Sequence, residues 1–108
     1  MELGLLALEK ENLVYRNKKL LEVVRDAPCM NCGAQDGTVV AAHSNSLADG
    51  KGKGIKASDF KIAALCFRCH HELDQGTKMN KQERRDLWLS SHIKTVAWLF
   101  ENDRLSVK

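Results

Sequence analysis

Proline is nearly missing from this chain: Pro28 is the only one in 108 residues. Long stretches are thereby free of the residue that most reliably interrupts a helix. Long apolar runs are missing as well. No segment approaches the roughly 18 to 20 apolar residues of a membrane span. The run LGLLAL at residues 3–8 is preceded by Glu2 and followed by Glu9, Lys10 and Glu11, too short and wrongly flanked for a secretory signal. These absences predict a cytoplasmic chain with no membrane partner. Neither sign of charge dominates. Seventeen Lys and Arg against fourteen Asp and Glu leave +3, which permits a polyanionic partner without demanding one. What remains is ordinary globular material, 44% hydrophobic and 29% charged, of a length that predicts one domain spanning residues 1–108.

Three segments follow from the patterning. Residues 2–25 read as one long helix, free of proline and rich in Leu, Glu and Lys, with Leu6, Leu13 and Leu20 seven apart and Pro28 marking its end. The N-terminal helix is thus assigned to residues 1–26, and its leucine stripe packs on its own domain or serves a homodimer. Residues 29–76 form a core of a different kind. A β-branched run after Asp36-Gly37 predicts a strand near 38–43, and KIAALC predicts a second one before a helix that starts near Arg68. A third helix is assigned to residues 80–103, with Asn80 and Glu83 spaced as a capping pair. Leu89, Ile93, Val96 and Phe100 recur at helical spacing and are expected to face the core, with Met79, Trp88 and Trp98 at its boundary.

Cysteine is scarce but arranged. Cys29 and Cys32 form one C-x2-C pair, Cys66 and Cys69 another. Disulfides are disfavoured in a reducing compartment, and a thioredoxin-like reading of a single pair lacks its βαβ context. Two such pairs supply the four soft ligands that tetrahedral zinc prefers, leaving no open position, so the site is structural. The order knuckle, two short strands, knuckle, helix is that of a treble clef. The expected fold class is α+β, with a small zinc-bound treble-clef (ββα-metal) centre flanked by two long helices.

With four thiolates on the zinc, the polar residues around the second knuckle are free for other work. His70 and Asp74 are four apart, hence on one face of a helix, where they can chelate a divalent cation. His43 falls at the end of the first strand, facing the same groove in such a fold. The arrangement C-x2-C, a histidine on the hairpin, then C-x2-C-H resembles the HNH (His-Me finger) nucleases that carry a structural zinc. The elements AHS, GKGKGIK-x2-D and C-x2-CH-x-E-x-D resemble most closely the small prophage-encoded nucleases of the YbcO type, over about residues 29–76. The resemblance implies a metal-dependent endonuclease acting on DNA. His43 is then the general base that deprotonates the attacking water, and His70 with Asp74 holds the catalytic cation, which is magnesium, manganese, nickel or zinc. Lysines 51, 53, 56 and 61, the first three in the glycine-rich loop, would contact phosphates.

Two positions depart from the family pattern. Ala42 stands where an acid or histidine usually precedes the base, and Ser58-Asp59-Phe60 stands where an asparagine is usual. Asp59 and Asn45 are the candidate replacements, for orientation or for the metal. Plainer readings stand beside these. His43 can be a half-buried strand residue, His70 a zinc ligand in place of a cysteine, His71 an exposed or supporting residue or the metal ligand instead of His70, and His92 a boundary residue without chemistry. The lysines can form an ordinary solvated loop, and Lys78, Lys81, Arg84 and Arg85 a second basic cluster that meets nucleic acid or merely offsets nearby acids. The alternative functions are a non-catalytic, zinc-stabilised nucleic-acid-binding module and a phage protein-interaction module.

Overall fold

The computed structural model describes residues 14–45 and 56–107. Within them an α+β fold comprises α1 (Lys18–Val24), β1 (Val40–His43), β2 (Ile62–Leu65), α2 (Phe67–Gln75) and α3 (Lys81–Glu101). None of these helices is long and apolar enough to cross a membrane. The two strands pair antiparallel, Val40 opposite Leu65 and His43 opposite Ile62. Every residue of β2 is buried, whereas along β1 only Ala42 is. The core gathers Leu20 and Val24 of α1, the β2 residues, Leu73 of α2, and Trp88 and Leu99 of α3 around three of the four cysteines.

The ladder continues through Ser44 N–H to Lys61 O at 3.0 Å, which by alternation turns the backbone groups of Ile62 and Ala64 to the free edge of β2. Unpaired backbone groups in a buried edge are costly, and three residues from two elements meet these. Met30 of the first knuckle donates its N–H to Ala64 O at 2.9 Å. Ala64 N–H donates to Thr95 Oγ1 at 2.9 Å, and His92 Nδ1 donates to Ile62 O at 2.7 Å. The carbonyl acceptor fixes the proton on Nδ1 of His92, whose ring also stacks on Trp88 at 4.9 Å. His92 therefore does structural work as a cover for the strand edge.

This edge explains a correction. The expected inward stripe of α3 is on the wrong side: Leu89, Ile93 and Phe100 are exposed and Val96 is half-buried. Trp88, Ser91, Thr95 and Leu99 face inward instead. Thr95 carries a hydroxyl where the helix lies against backbone that needs an acceptor, and it passes its own proton to Ser91 O at 2.7 Å. Trp88 Nε1–H reaches Ala42 O at 2.9 Å. The start of α3 is as read, with Asn80 and Glu83 each accepting the other's backbone N–H at 2.8 Å.

A second correction concerns the N-terminal helix. Residues 14–17 are not helical, and α1 begins at Lys18 behind an Asn17 N-cap in extended conformation, φ −149° and ψ 92°. Its Oδ1 accepts Leu20 N–H at 3.0 Å. The backbone of this segment is bound sideways. Tyr15 N–H donates to Ser58 Oγ at 3.2 Å, and Tyr15 O accepts Asp59 N–H at 2.9 Å. Leu6 and Leu13, with the earlier part of the expected helix, lie outside the described residues.

Candidate metal centre and active site

The first knuckle turns at Gly33, whose φ of +82° suits a residue without a Cβ. Gly33 N–H closes on Cys29 O at 2.8 Å and Cys29 N–H on Ala34 O at 2.9 Å. Met30 N–H then ties the knuckle to β2, which runs directly into Cys66 and α2. Cys29, Cys32, Cys66 and Cys69 are all free thiols, with Sγ atoms within 4.8 Å of one another and Cys32 to Cys66 at 3.7 Å. A tetrahedron with bonds of about 2.3 Å requires S···S near 3.8 Å, so the cluster has the size and donor set of a zinc site. Burial pushes the Cys29 thiol up, but backbone N–H groups of Cys32, Cys66 and Asn31 outweigh it and bring it down to about 6. Burial pushes Cys69 up to about 12, against the opposing Asn31 side chain, whose Nδ2 donates to its Sγ at 3.3 Å. Thiolates crowded in this way favour a shared cation.

On the other side of the hairpin, His43 Nε2 lies 2.8 Å from Asp59 Oδ1. The same oxygen accepts from Arg16 Nη1 at 3.2 Å, and Asp59 Oδ2 accepts Asn17 N–H at 2.7 Å. The Asp59 side chain is only 5% exposed. Burial alone would raise its pKa, but the bond from His43, the Asn17 N–H and the charges of His43 and Arg16 outweigh it and hold the carboxyl below its usual value. An ionised carboxylate only accepts, so Nε2 carries the proton and Nδ1 is left as the basic ring nitrogen. Arg16 also binds Ala57 O at 2.7 Å and Lys56 O at 3.0 Å.

Two residues beyond His43, Asn45 Nδ2 donates to Asp74 Oδ1 at 2.8 Å, and Asp74 Oδ2 lies 3.0 Å from His70 Nε2. His70 and Asp74 thus share one face of α2, half-exposed, bonded to each other and through Asn45 to the stretch after β1. Ala42, by contrast, is 1% exposed and offers no side-chain donor. Asp59 partners the histidine rather than joining His70 and Asp74, and among the described residues the four cysteines are the one cluster of three or more potential ligands.

The remaining candidates divide. His71 is exposed and stacks on Phe67. Lys56 is exposed, and Lys61 holds its ammonium 5.8 Å from the Phe60 ring centre. Lys51 and Lys53 lie outside the described residues. Of the second basic cluster, Arg84 is turned onto Gly76 O and Met79 O, and Arg85 lies over Trp88. Tyr15, Arg16 and Asn17 fall inside the expected N-terminal helix, and its pattern gives no sign of their contacts with residues 56–59. For the helix start Asn17 was the available signal, because asparagine ahead of KKLL is a favoured N-cap. Comparison with family models, with curated proteins and with solved structures finds no match for this chain.

Proposed function

We propose that this protein is a metal-dependent endonuclease of the HNH type, hydrolysing DNA phosphodiester bonds from a treble-clef centre built on structural zinc. The observation that carries the reading is the His43–Asp59 pair, with its carboxylate held from behind by Arg16 and Asn17 and its strand tied through Asn45 to His70 and Asp74. Nδ1 of His43 takes a proton from the attacking water, and Asp59 stabilises the imidazolium that forms. His70 and Asp74 hold a divalent cation, which when bound supplies Lewis-acid charge at the scissile phosphate. Two protein donors suffice for an ion that keeps several waters, as magnesium does. Cys29, Cys32, Cys66 and Cys69 hold the zinc that joins the hairpin to α2.

One observation favours a second reading, a nucleic-acid-binding module without catalysis: the position that would supply a further metal ligand is the buried Ala42. Plasmid cleavage by the zinc-loaded protein, with magnesium, manganese or nickel added in turn, decides between them. His43→Ala and His70→Ala proteins, verified to fold and retain zinc, accompany the wild type. Metal-dependent nicking that both substitutions abolish is the expected result. A wild type that cuts nothing, or variants that cut equally well, rejects catalysis and leaves the binding module.

A further inference from the structure

The chain has only six Trp, Tyr and Phe residues, and their distribution is uneven. Trp88 and Trp98 serve the core, and Phe100 lies on the outer face of α3. The other three, Tyr15, Phe60 and Phe67, are 47%, 51% and 68% exposed, and each sits beside a residue of the proposed site. Tyr15 and Phe60, with ring centres 5.7 Å apart, flank Arg16 and Asp59 in sequence. Tyr15 is fixed at three points: its N–H by Ser58, its carbonyl by Asp59, and its hydroxyl by Asn17 Nδ2 at 2.7 Å. Phe67 opens α2 and lies 6.1 Å from the His71 ring with planes 21° apart, on positions neighbouring His70 and Asp74. Positive charge accompanies the first pair, with Lys61 over the Phe60 ring.

Exposed rings held in place in this way gain little from folding, but they offer flat faces to a flat ligand without further ordering cost. In a duplex the base faces are already covered by their neighbours. An unpaired strand presents them, and each base stacked on an aromatic side chain contributes roughly 1–3 kcal/mol. We infer that the substrate of this site is single-stranded DNA, one unpaired base stacking on the Tyr15–Phe60 pair beside His43 and another on Phe67 and His71 beside His70. The inference rests on the nucleic-acid reading of the site and names the form of DNA it takes.

The test is equilibrium binding of a fluorescein-labelled 20-nucleotide oligo-dT strand and of a 20-base-pair duplex, with zinc-loaded full-length protein and no further divalent cation. Binding is thereby read without cleavage. The single strand is expected to bind more tightly than the duplex at matched salt. Phe60→Ala and Phe67→Ala are each expected to weaken it by about fivefold or more while changing duplex binding by less than twofold, and Phe60→Trp is expected to retain single-strand affinity. Melting curves establish that the exposed substitutions leave folding intact. Duplex binding equal to or tighter than single-strand binding, or ring removal without effect on the single strand, overturns the inference. Ring-dependent single-strand binding by a protein that never cuts sustains it and removes only the nuclease reading. Ring-independent cutting of duplex DNA does the reverse.

Discussion

Asp59 receives hydrogen bonds from three directions, and only one of its donors, His43, belongs to the hairpin. Its role in the proposed chemistry is separable from its role in stability. Asp59→Asn keeps a side chain of the same shape but removes the charge that stabilises an imidazolium, so kcat is expected to fall by on the order of 10²-fold or more, as read in metal-dependent plasmid nicking. Arg16→Ala leaves the carboxylate in contact with His43 and should cost less. The stability effect has a defined pH sense. The folded carboxyl titrates below its usual value, so its contribution is fully present above the unfolded pKa of about 3.9 and is lost as pH falls through the lower folded value. The melting-temperature gap between wild type and Asp59→Asn should be widest near neutrality and close below about pH 4. Both proteins share the same thiols, so the difference isolates the carboxylate.

At the scale of elements, α3 tests whether its inward face is the one seen here. Thr95→Val keeps the volume but leaves Ala64 N–H buried without its acceptor, and is expected to cost about 1–3 kcal/mol in denaturant unfolding. Ile93→Ala, on the exposed face, is expected to stay within about 0.5 kcal/mol. Equal losses at the two positions would contradict this packing. The same helix indicates what was legible beforehand. Its limits were readable because Asn80 and Glu83 announce the cap and nothing inside breaks the pattern. Its orientation was not, because apolar periodicity assumes that a helix packs on side chains, and here it packs partly on backbone that calls for His92 and Thr95. The strands were readable from a short β-branched run and a short apolar one, and the cysteine cluster from its spacing. His70 and Asp74 followed from helical geometry alone. Arg16 and Asn17 were hidden because their partners, at residues 56–59, are some forty positions away, and no local pattern reports so distant a contact.

At the scale of the molecule, the sheet has two strands among the described residues, and the cysteine cluster is the junction where the first knuckle, β2 and α2 meet. Zinc-finger peptides gain roughly 10–16 kcal/mol from the metal, more than a small core of this kind supplies. With zinc in the cysteine cluster as proposed, its chelation is expected to abolish the cooperative melting transition and much of the helical circular dichroism, and readdition of zinc to restore both. Persistence of the transition after verified removal of the metal would mean that the core stands without it. The segment at residues 15–17 has a different standing, because it is held by exposed and part-buried polar contacts rather than by the cysteine cluster or the apolar core. Such an attachment opens on its own. In hydrogen–deuterium exchange the Asn17 amide, donated to Asp59, should take up deuterium by local detachment, while the Ala64 amide, donated to Thr95 inside the buried edge, should wait for global unfolding. The protection of the Asn17 amide against its intrinsic exchange rate then measures how often Asp59 loses that donor, and hence the fraction of time for which His43 faces a carboxylate with its backing in place.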